Sequence, residues 1–427
     1  MADESAMRIL VLGDFGGRMH RPMAIDVDGI DRAIGRIGAR LELPVPGHGD
    51  VALEFASIDD FHPDTLYRRA PLFHQLRNTR IEPDTQTFAR LVGGAPSPAE
   101  AQARSGAAAG HPYVQALLQE AVQPHVVPDA PPHQAVYAAA VDALMGDAMR
   151  AILQHPRFKA LEALWRGVRW LVSNLETDEQ LKLYVLDASR AELAAAPEAV
   201  DARIESSGPW SLIVGNYTFG PDVEDVGLLT HLGAVASRAG GPFLAAAKSE
   251  ILGCLSIGAT PDPRDWTPPA ADAAGRWDAL RKSAIASSIG LALPRMLLRL
   301  PYGKAGDPVE SFPFEELAPR REHESYLWGN GALACALLIG RAFAARGWDM
   351  EPGDELEVED LPAHTYDDDG EKRLQPCAET TLVDRAAEAI LEAGLMPLLS
   401  YKNRNAMRVM RFQSIAKPAQ ALSGPWR

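Results

Sequence analysis

Four stretches of this chain hold residue types that chemistry requires. The first is RILVLGDFGG at 8–17, an apolar run that ends in Gly13 and Asp14 and turns at Gly16 and Gly17. A glycine-rich turn after a strand is where backbone N–H groups can cradle a phosphate. Here neither the G-x-x-x-x-G-K-[ST] pattern nor a complete G-x-G-x-x-G is present, and Asp14 repels an anion, so the stretch reads as a tight turn. The second is Asp59, Asp60, His62 and Asp64, by type a metal or acid–base cluster. Pro63 beside them marks a helix start, where carboxylates serve as caps, and capping is the reading adopted. The third is histidine. His323-Glu324 lacks the second His of a zinc helix. His364, in LPAHTY next to an acidic loop, has the type of a general base, but a loop histidine bonded to backbone explains it. The fourth is Arg295 and Arg299, which bracket an apolar run and suit pairing with carboxylates at a rim or subunit contact.

Other signals of chemistry fail at the level of pattern. Cys254, Cys335 and Cys377 form no C-x-x-C and read as buried free thiols of a reducing compartment. Asp367 to Gly370 lacks the alternating acceptors of a calcium loop. No G-x-S-x-G elbow occurs. The reading therefore assigns no catalytic, cofactor-binding or metal-ligating residue. The competing reading is an α/β enzyme of unknown chemistry with its site near the Gly13–Arg18 turn, which requires a concave pocket at strand C-termini.

Bulk properties narrow the class. A chain of 427 residues, 47% hydrophobic and 23% charged, is globular and long enough for two domains. A formal charge of -15 argues against a nucleic-acid partner, which needs clustered Lys and Arg, and none is expected. No apolar run approaches the roughly 18 residues of a membrane span. MADESAM has neither the basic nor the apolar region of a signal peptide, so a cytoplasmic location without membrane insertion is expected.

The elements that must position these residues centre on 153–193. Phe158, Leu161, Trp165, Val168 and Val172 recur at helical steps after Pro156, and Trp170 adds a second large ring. Leu181, Leu183 and Val185 then alternate as on a strand. Ser189 and Glu192 match a capping box. Upstream, Arg8–Asp14 reads as a strand buried on both faces. Asp28 caps a helix with Ile30, Ile34, Ile37 and Leu41 on one stripe, and Val51, Leu53 and Phe55 form a second strand. The Gly-, Pro- and Ala-rich stretch 93–132 reads as a linker enclosing a short helix at 113–122. Downstream come strands at 212–215 and 243–247 around a helix at 222–238, a loop at 259–275, and a strand at 289–293. A long helix at 326–345 and acidic loops at 349–360 and 367–369 follow. The strand–helix–strand spacing predicts a parallel α/β core.

HPRFKALEALWRGVRWLV followed by ETDEQLKLYVLDASRAEL resembles the large subunit of the type VI secretion contractile sheath. LIVGNYTFG, PFLAAA, LALPRMLLRLPYG, YLWGNGALACALL, LPAHTY and FQSIAKP follow in the order of that family, and the likeness covers most of 135–420. RILVLGDFGGR, IDVDGIDRAI and LEFASIDDFHPDTL resemble the small subunit. The resemblance implies a fusion: residues 1–92 like the small subunit, 93–132 a linker, and 133–427 like the large subunit without the family's C-terminal end. It implies an α/β fold of sheath-type mixed sheets flanked by helices, with the two halves packed together.

The functional expectation is a structural component of the sheath, or a sheath-like adaptor or regulator. Its partners would be other sheath subunits and inner-tube or baseplate proteins, joined through exchanged strands. The chain is expected to need no cofactor and to form limited oligomers by itself. Gly13, Asp14, Arg18, Trp165, Trp170, Arg295, Arg299 and Tyr302 are the expected assembly positions.

Overall fold

A computed structural model describes residues 6–81, 131–402 and 404–426. The expected helix at 113–122 and most of the expected linker lie outside the described residues. The linker's last two prolines do not: Pro131 and Pro132 open a helix, since a first turn tolerates residues without an N–H.

Nine strands form the central sheet: β1 (Met7–Gly13), β2 (Met23–Ile25), β5 (Leu181–Asp187), β6 (Leu212–Phe219), β7 (Phe243–Ala247), β8 (Ile289–Leu293), β11 (Glu357–Val358), β14 (Met396–Ser400) and β15 (Met407–Val409). Their order is β11-β15-β14-β8-β7-β6-β1-β5-β2. The six from β14 to β5 run parallel, while β2 and the β15–β11 pair add antiparallel margins. Outside this sheet, β3 (Arg40–Val45) and β4 (Gly49–Glu54) make a hairpin, as do β12 (His364–Asp368) and β13 (Glu371–Gln375), and β9 (Met296–Leu297) pairs with β10 (Trp328–Gly329).

The position of β1 governs the architecture. It pairs with β5 over seven residues, from Met7 opposite Leu181 to Gly13 opposite Asp187, and with β6 on its other side. The first segment of the chain thus supplies an interior strand, β1, and an edge strand, β2, to a sheet whose other seven strands come from residues beyond 180. Its side chains alternate between two cores, as strand geometry demands. Ile9 and Val11 join the core beneath α1 (Ile30–Ile37), α2 (Pro63–Arg69), α3 (Pro71–Ile81), α4 (Pro131–Leu153) and α5 (Pro156–Ser173). Leu10 and Leu12 join the core beneath α6 (Arg190–Ala195), α7 (Pro197–Glu205), α8 (Val223–Ala239) and α9 (Ala271–Arg281). The later helix α10 (Ala332–Arg346) lies on the first face and α11 (Asp384–Glu392) on the second. The fold is a three-layer α/β sandwich with its two halves in one sheet.

Several local expectations need correction. α1 starts after Gly29, and Asp26 rather than Asp28 accepts the Gly29 N–H at 2.7 Å. It ends at Gly38, whose φ of 69° is left-handed, so Leu41 falls on β3 instead of the helical stripe. The expected helix at 326–345 begins only at Ala332, because Trp328 and Gly329 pair with β9. The expected loop at 259–275 contains the start of α9. Asp367–Asp369 turn a hairpin, and Glu357–Val358 within the other acidic stretch form a strand. Ser189 caps α6 by accepting the Glu192 N–H at 3.1 Å, whereas the Glu192 carboxylate goes to Arg203 at 2.6 Å, so the capping box is half formed.

Candidate functional site

The connection from β1 to β5 runs through α1–α5 on one face of the sheet. The connection from β6 to β7 runs through α8 on the other. Neighbouring strands whose connections leave to opposite faces define a topological switch point, and a crevice opens at their carboxyl ends. β6 leaves β1 after Gly215, and its pairing with β7 shifts register between Val214 and Thr218.

The crevice encloses about 930 Å³ and collects residues from three strand ends and two helix starts. β1 delivers Asp14. β6 delivers Asn216, Tyr217 and Thr218, and Lys248 follows β7. α6 contributes Arg190 and Ala191, the start of α8 contributes Asp222–Asp225, and α5 contributes Ala160 and Leu164. One wall is closed by ion pairs. Lys248 Nζ lies 2.7 Å from Asp225 and 3.5 Å from Asp222, and Arg190 bonds Asp225 and donates to the Thr218 carbonyl at 2.9 Å. Burial disfavours the Asp225 charge, but Lys248, the Gly220 N–H and Arg190 outweigh it and hold the carboxyl below its ordinary value. Asp222 also caps α8 by accepting the Asp225 N–H at 2.8 Å.

Other groups of the crevice have few partners among the described residues. Asp14 is exposed and, among the described residues, accepts the Gly16 N–H at 3.2 Å alone, and Glu224 is exposed with no cation of the described residues against it. The half-buried Asn216 side chain makes no hydrogen bond to another described residue. Just beneath, Asp187 ends β5 and accepts the Phe15 N–H at 2.7 Å. Burial pushes its carboxyl up to about 6, with Asp14 and Glu192 adding to the rise and the Phe15 N–H and Arg203 opposing it. The crevice carries a negative field. Its lining has neither His nor Cys, and its one serine, Ser189, is engaged as a helix cap.

A second polar cluster behaves differently. Arg299 is buried and reaches Glu162 on α5 at 2.8 and 3.2 Å and Glu316 at 2.7 and 2.9 Å. Arg166 donates to Glu162 at 2.7 Å and to the Tyr302 hydroxyl at 2.7 Å, and the Tyr302 N–H donates to Glu316 at 2.8 Å. Burial works against every one of these charges, yet the mutual attraction holds Glu162 below and Arg299 above their ordinary values. This knot fixes the loop that clasps the first segment. Asp64 accepts the N–H groups of Glu310 and Ser311 at 3.1 and 2.8 Å, Tyr67 stacks on Phe312 at 5.0 Å, and the His62 ring meets Tyr302 edge-on at 4.9 Å. Of the four acidic and histidine residues at 59–64, Asp60 accepts the Ala56 and Ser57 N–H groups and His62 caps α2.

The expected assembly residues divide by position. Asp14 and Arg18 are exposed at the turn after β1, Trp170 is half-buried, and Arg295 is partly exposed. Gly13, Trp165, Arg299 and Tyr302 are buried within the chain. A Cβ on Gly13 would meet Leu164 at 2.7 Å, and the Trp165 N–H donates to the Phe15 carbonyl at 3.4 Å. Arg295 and Arg299 do pair with carboxylates, and all are of this chain. Arg295 bonds Glu379 at 3.0 Å and Glu324 at 2.7 and 3.0 Å, and His323 also reaches Glu379 at 3.1 Å. His323, Glu324 and Glu379 offer ligand atoms within 4.8 Å of one another, but the Arg295 guanidinium already supplies the positive charge a cation would bring. His364 accepts or donates at 2.8 Å with the Tyr326 hydroxyl, and burial lowers its pKa. The three cysteines are buried and free.

Sequence reasoning did not find Asn216, Lys248, Arg190 or Asp225, nor the acids Glu162 and Glu316. The visible signal was each apolar strand ending in a polar residue, as in LIVGN and FLAAAK.

Residues 136–416 match the family described as VipB: EvpB/VC_A0108, tail sheath N-terminal domain. The type VI secretion system sheath protein TssC1 of Pseudomonas aeruginosa is 36% identical over 307 residues, which cover 66% of this chain and 61% of that protein. This chain therefore spans about three fifths of the length of the relative it matches. Among the described residues no helix is long and apolar enough to cross a membrane. With its matched region taking in every strand of the central sheet except β1 and β2, this chain belongs to the VipB family of tail sheath proteins.

Proposed function

We propose that this chain is a structural component of a type VI secretion contractile sheath, or a sheath-like adaptor or regulator, acting by assembly with other proteins and not by catalysis. One observation carries the reading: a chain of a tail sheath family completes its own central sheet with β1, a strand supplied from its first segment. Residues 1–92 then act as a small-subunit-like segment, 93–132 as the connection, and 133–427 as the large-subunit-like domain. Fusion raises the effective concentration of the two parts and fixes their ratio at one to one.

Its partners are other sheath subunits and inner-tube or baseplate proteins, met in the cytoplasm, and it also self-associates. Asp14, Arg18, Trp170 and Arg295 contribute from the surface, and Gly13, Trp165, Arg299 and Tyr302 from within, by holding that surface in shape. The test is co-expression with the sheath, inner-tube and baseplate proteins of the same secretion system, followed by affinity purification and electron microscopy. Stoichiometric co-purification with a sheath or baseplate component, together with altered sheath length when the chain is absent, is the expected result. Sheaths of normal length and no association with any of these components would overturn the proposal.

A further inference from the structure

On α9, Ala274, Trp277, Asp278 and Arg281 follow one another at three- and four-residue steps and so share one side of the helix. They line a cavity of about 270 Å³ that Pro221, Ile251 and Pro269 close with apolar surface and Lys417 closes with a cation. A second cavity of about 390 Å³, bounded by Glu388 and Glu392 of α11, shares Arg281 and Lys417, so these two cations stand where the cavities adjoin.

Two donors here lack an acceptor among the described residues. Trp277 is 7% exposed, and its indole N–H is buried without a hydrogen-bond partner. A donor removed from water in this way is costly unless an acceptor meets it. Arg281 donates through Nε to the Ile415 carbonyl at 2.8 Å and through Nη2 to the Glu392 carbonyl at 3.1 Å, which leaves its Nη1 without an acceptor and its charge without a carboxylate partner. Burial lowers the Arg281 pKa, with Asp278 opposing. Asp278 is already shared by Lys282 and Lys417, the latter at 2.7 Å. The smaller cavity thus sets two cations against one carboxylate in a chain of net charge -15. Its occupant must accept from an N–H, carry a negative charge and be apolar elsewhere. At about 30 Å³ per heavy atom it has roughly nine of them. A carboxylate on a branched hydrocarbon body meets these demands. Phosphate does not, since it has no apolar body and its second charge would face Glu388 and Glu392.

We propose that this cavity binds an apolar monocarboxylate, its hydrocarbon body against Ile251, Pro269 and the Trp277 ring, its carboxylate meeting the Trp277 indole N–H, Arg281 Nη1 and the charge of Lys417. Such a group comes either as a free small acid or as the last residue of a polypeptide. The site shares no residue with the expected assembly positions and stands apart from the sheath reading.

The test is a ligand-observed NMR titration of the full chain with isocaproate, with its neutral amide and with N-acetyl-leucine. Saturable binding of the acids is expected in the roughly millimolar range open to ligands of this size, with the amide about tenfold weaker or worse. Lys417→Gln should weaken acid binding about tenfold. Trp277→Phe, which keeps an aromatic body and removes the N–H, should weaken it about fivefold. Lys304→Gln, which removes an exposed cation elsewhere, should leave affinity unchanged. Melting temperatures establish that each variant is folded, and the exposed Lys417 carries the test if Trp277→Phe does not fold. Equal affinity for the two acids assigns the site to a free small acid, and about tenfold tighter binding of N-acetyl-leucine assigns it to a chain end; either result sustains the proposal. No saturable binding of either acid, displacement of isocaproate by equimolar inorganic phosphate, or unchanged affinity in Lys417→Gln would overturn it.

Discussion

The Arg299 knot and the switch-point crevice are two polar concentrations among the described residues, and they solve opposite problems. In the knot, Glu162 is fully buried and each charge faces an opposite one at hydrogen-bond distance. Charges removed from water must be matched in this way, because an unmatched one costs several kcal/mol. In the crevice, Asp14 and Glu224 stay in water and no cation among the described residues answers them. A polar group that the fold satisfies belongs to architecture, while one the fold leaves open, in a concave place, is available to something else. Residue type does not separate the two cases. Arg299 and Asp14 both stood out in the sequence, and only burial and partners distinguish them.

That contrast can be broken or sharpened by substitution. Arg299→Met should have the largest effect, since it leaves Glu316 buried without its cation. A loss of about 3–5 kcal/mol is expected in chemical denaturation, and a loss below about 1 kcal/mol would mean that the knot contributes little. Asp187→Asn comes next and acts through pH. The folded carboxyl titrates near 6, above its ordinary 3.8, so the folded state holds the proton more tightly than the unfolded state. Stability must then fall as pH rises from about 4 to 6 and stay reduced above it. The Asn variant, with its amide oxygen still accepting the Phe15 N–H, should lose this slope and gain ~2–3 kcal/mol at pH 7. Denaturation curves from pH 4 to 7 measure it, and a parallel slope in both proteins would contradict it. Ser189→Ala should cost about 1 kcal/mol by uncapping α6 at the crevice lip, read as a small fall in the denaturation midpoint. Asp14→Asn/Glu224→Gln should change stability by less than about 0.5 kcal/mol. A larger stability change would place these carboxylates with the knot and erase the distinction.

How much could be read beforehand depended on whether the signal was local. The run Ile9 to Leu12 announced a strand buried on both faces, and it became a central strand with a core on each side. The stripe of Phe158, Leu161, Trp165, Val168 and Val172 became α5, and the sheath resemblance rested on contiguous segments that the family match also covers. Failures came where pairing overrode local pattern. Trp328 and Gly329 continue an apolar run that looks helical, but β9 draws them into a strand. β12 and β13 carry charges where alternation would be expected, so their hairpin was invisible. The crevice was the least legible part, because Asp14, Arg190, Asn216, Glu224 and Lys248 come from five separate elements and meet only once the sheet has formed.

The central place of β1 carries a consequence for how the molecule comes into being. Its two flanking strands begin at Leu181 and Leu212, so the strand synthesised early waits for roughly 170 to 200 further residues before either neighbour exists. At translation rates of 5–20 residues per second that wait lasts roughly ten to forty seconds. Throughout it, an apolar ribbon with both edges open is presented to the cell. Nascent chains of this design are natural clients for holding chaperones, and slowing the ribosome between β1 and β6 should lower soluble yield without altering the finished protein.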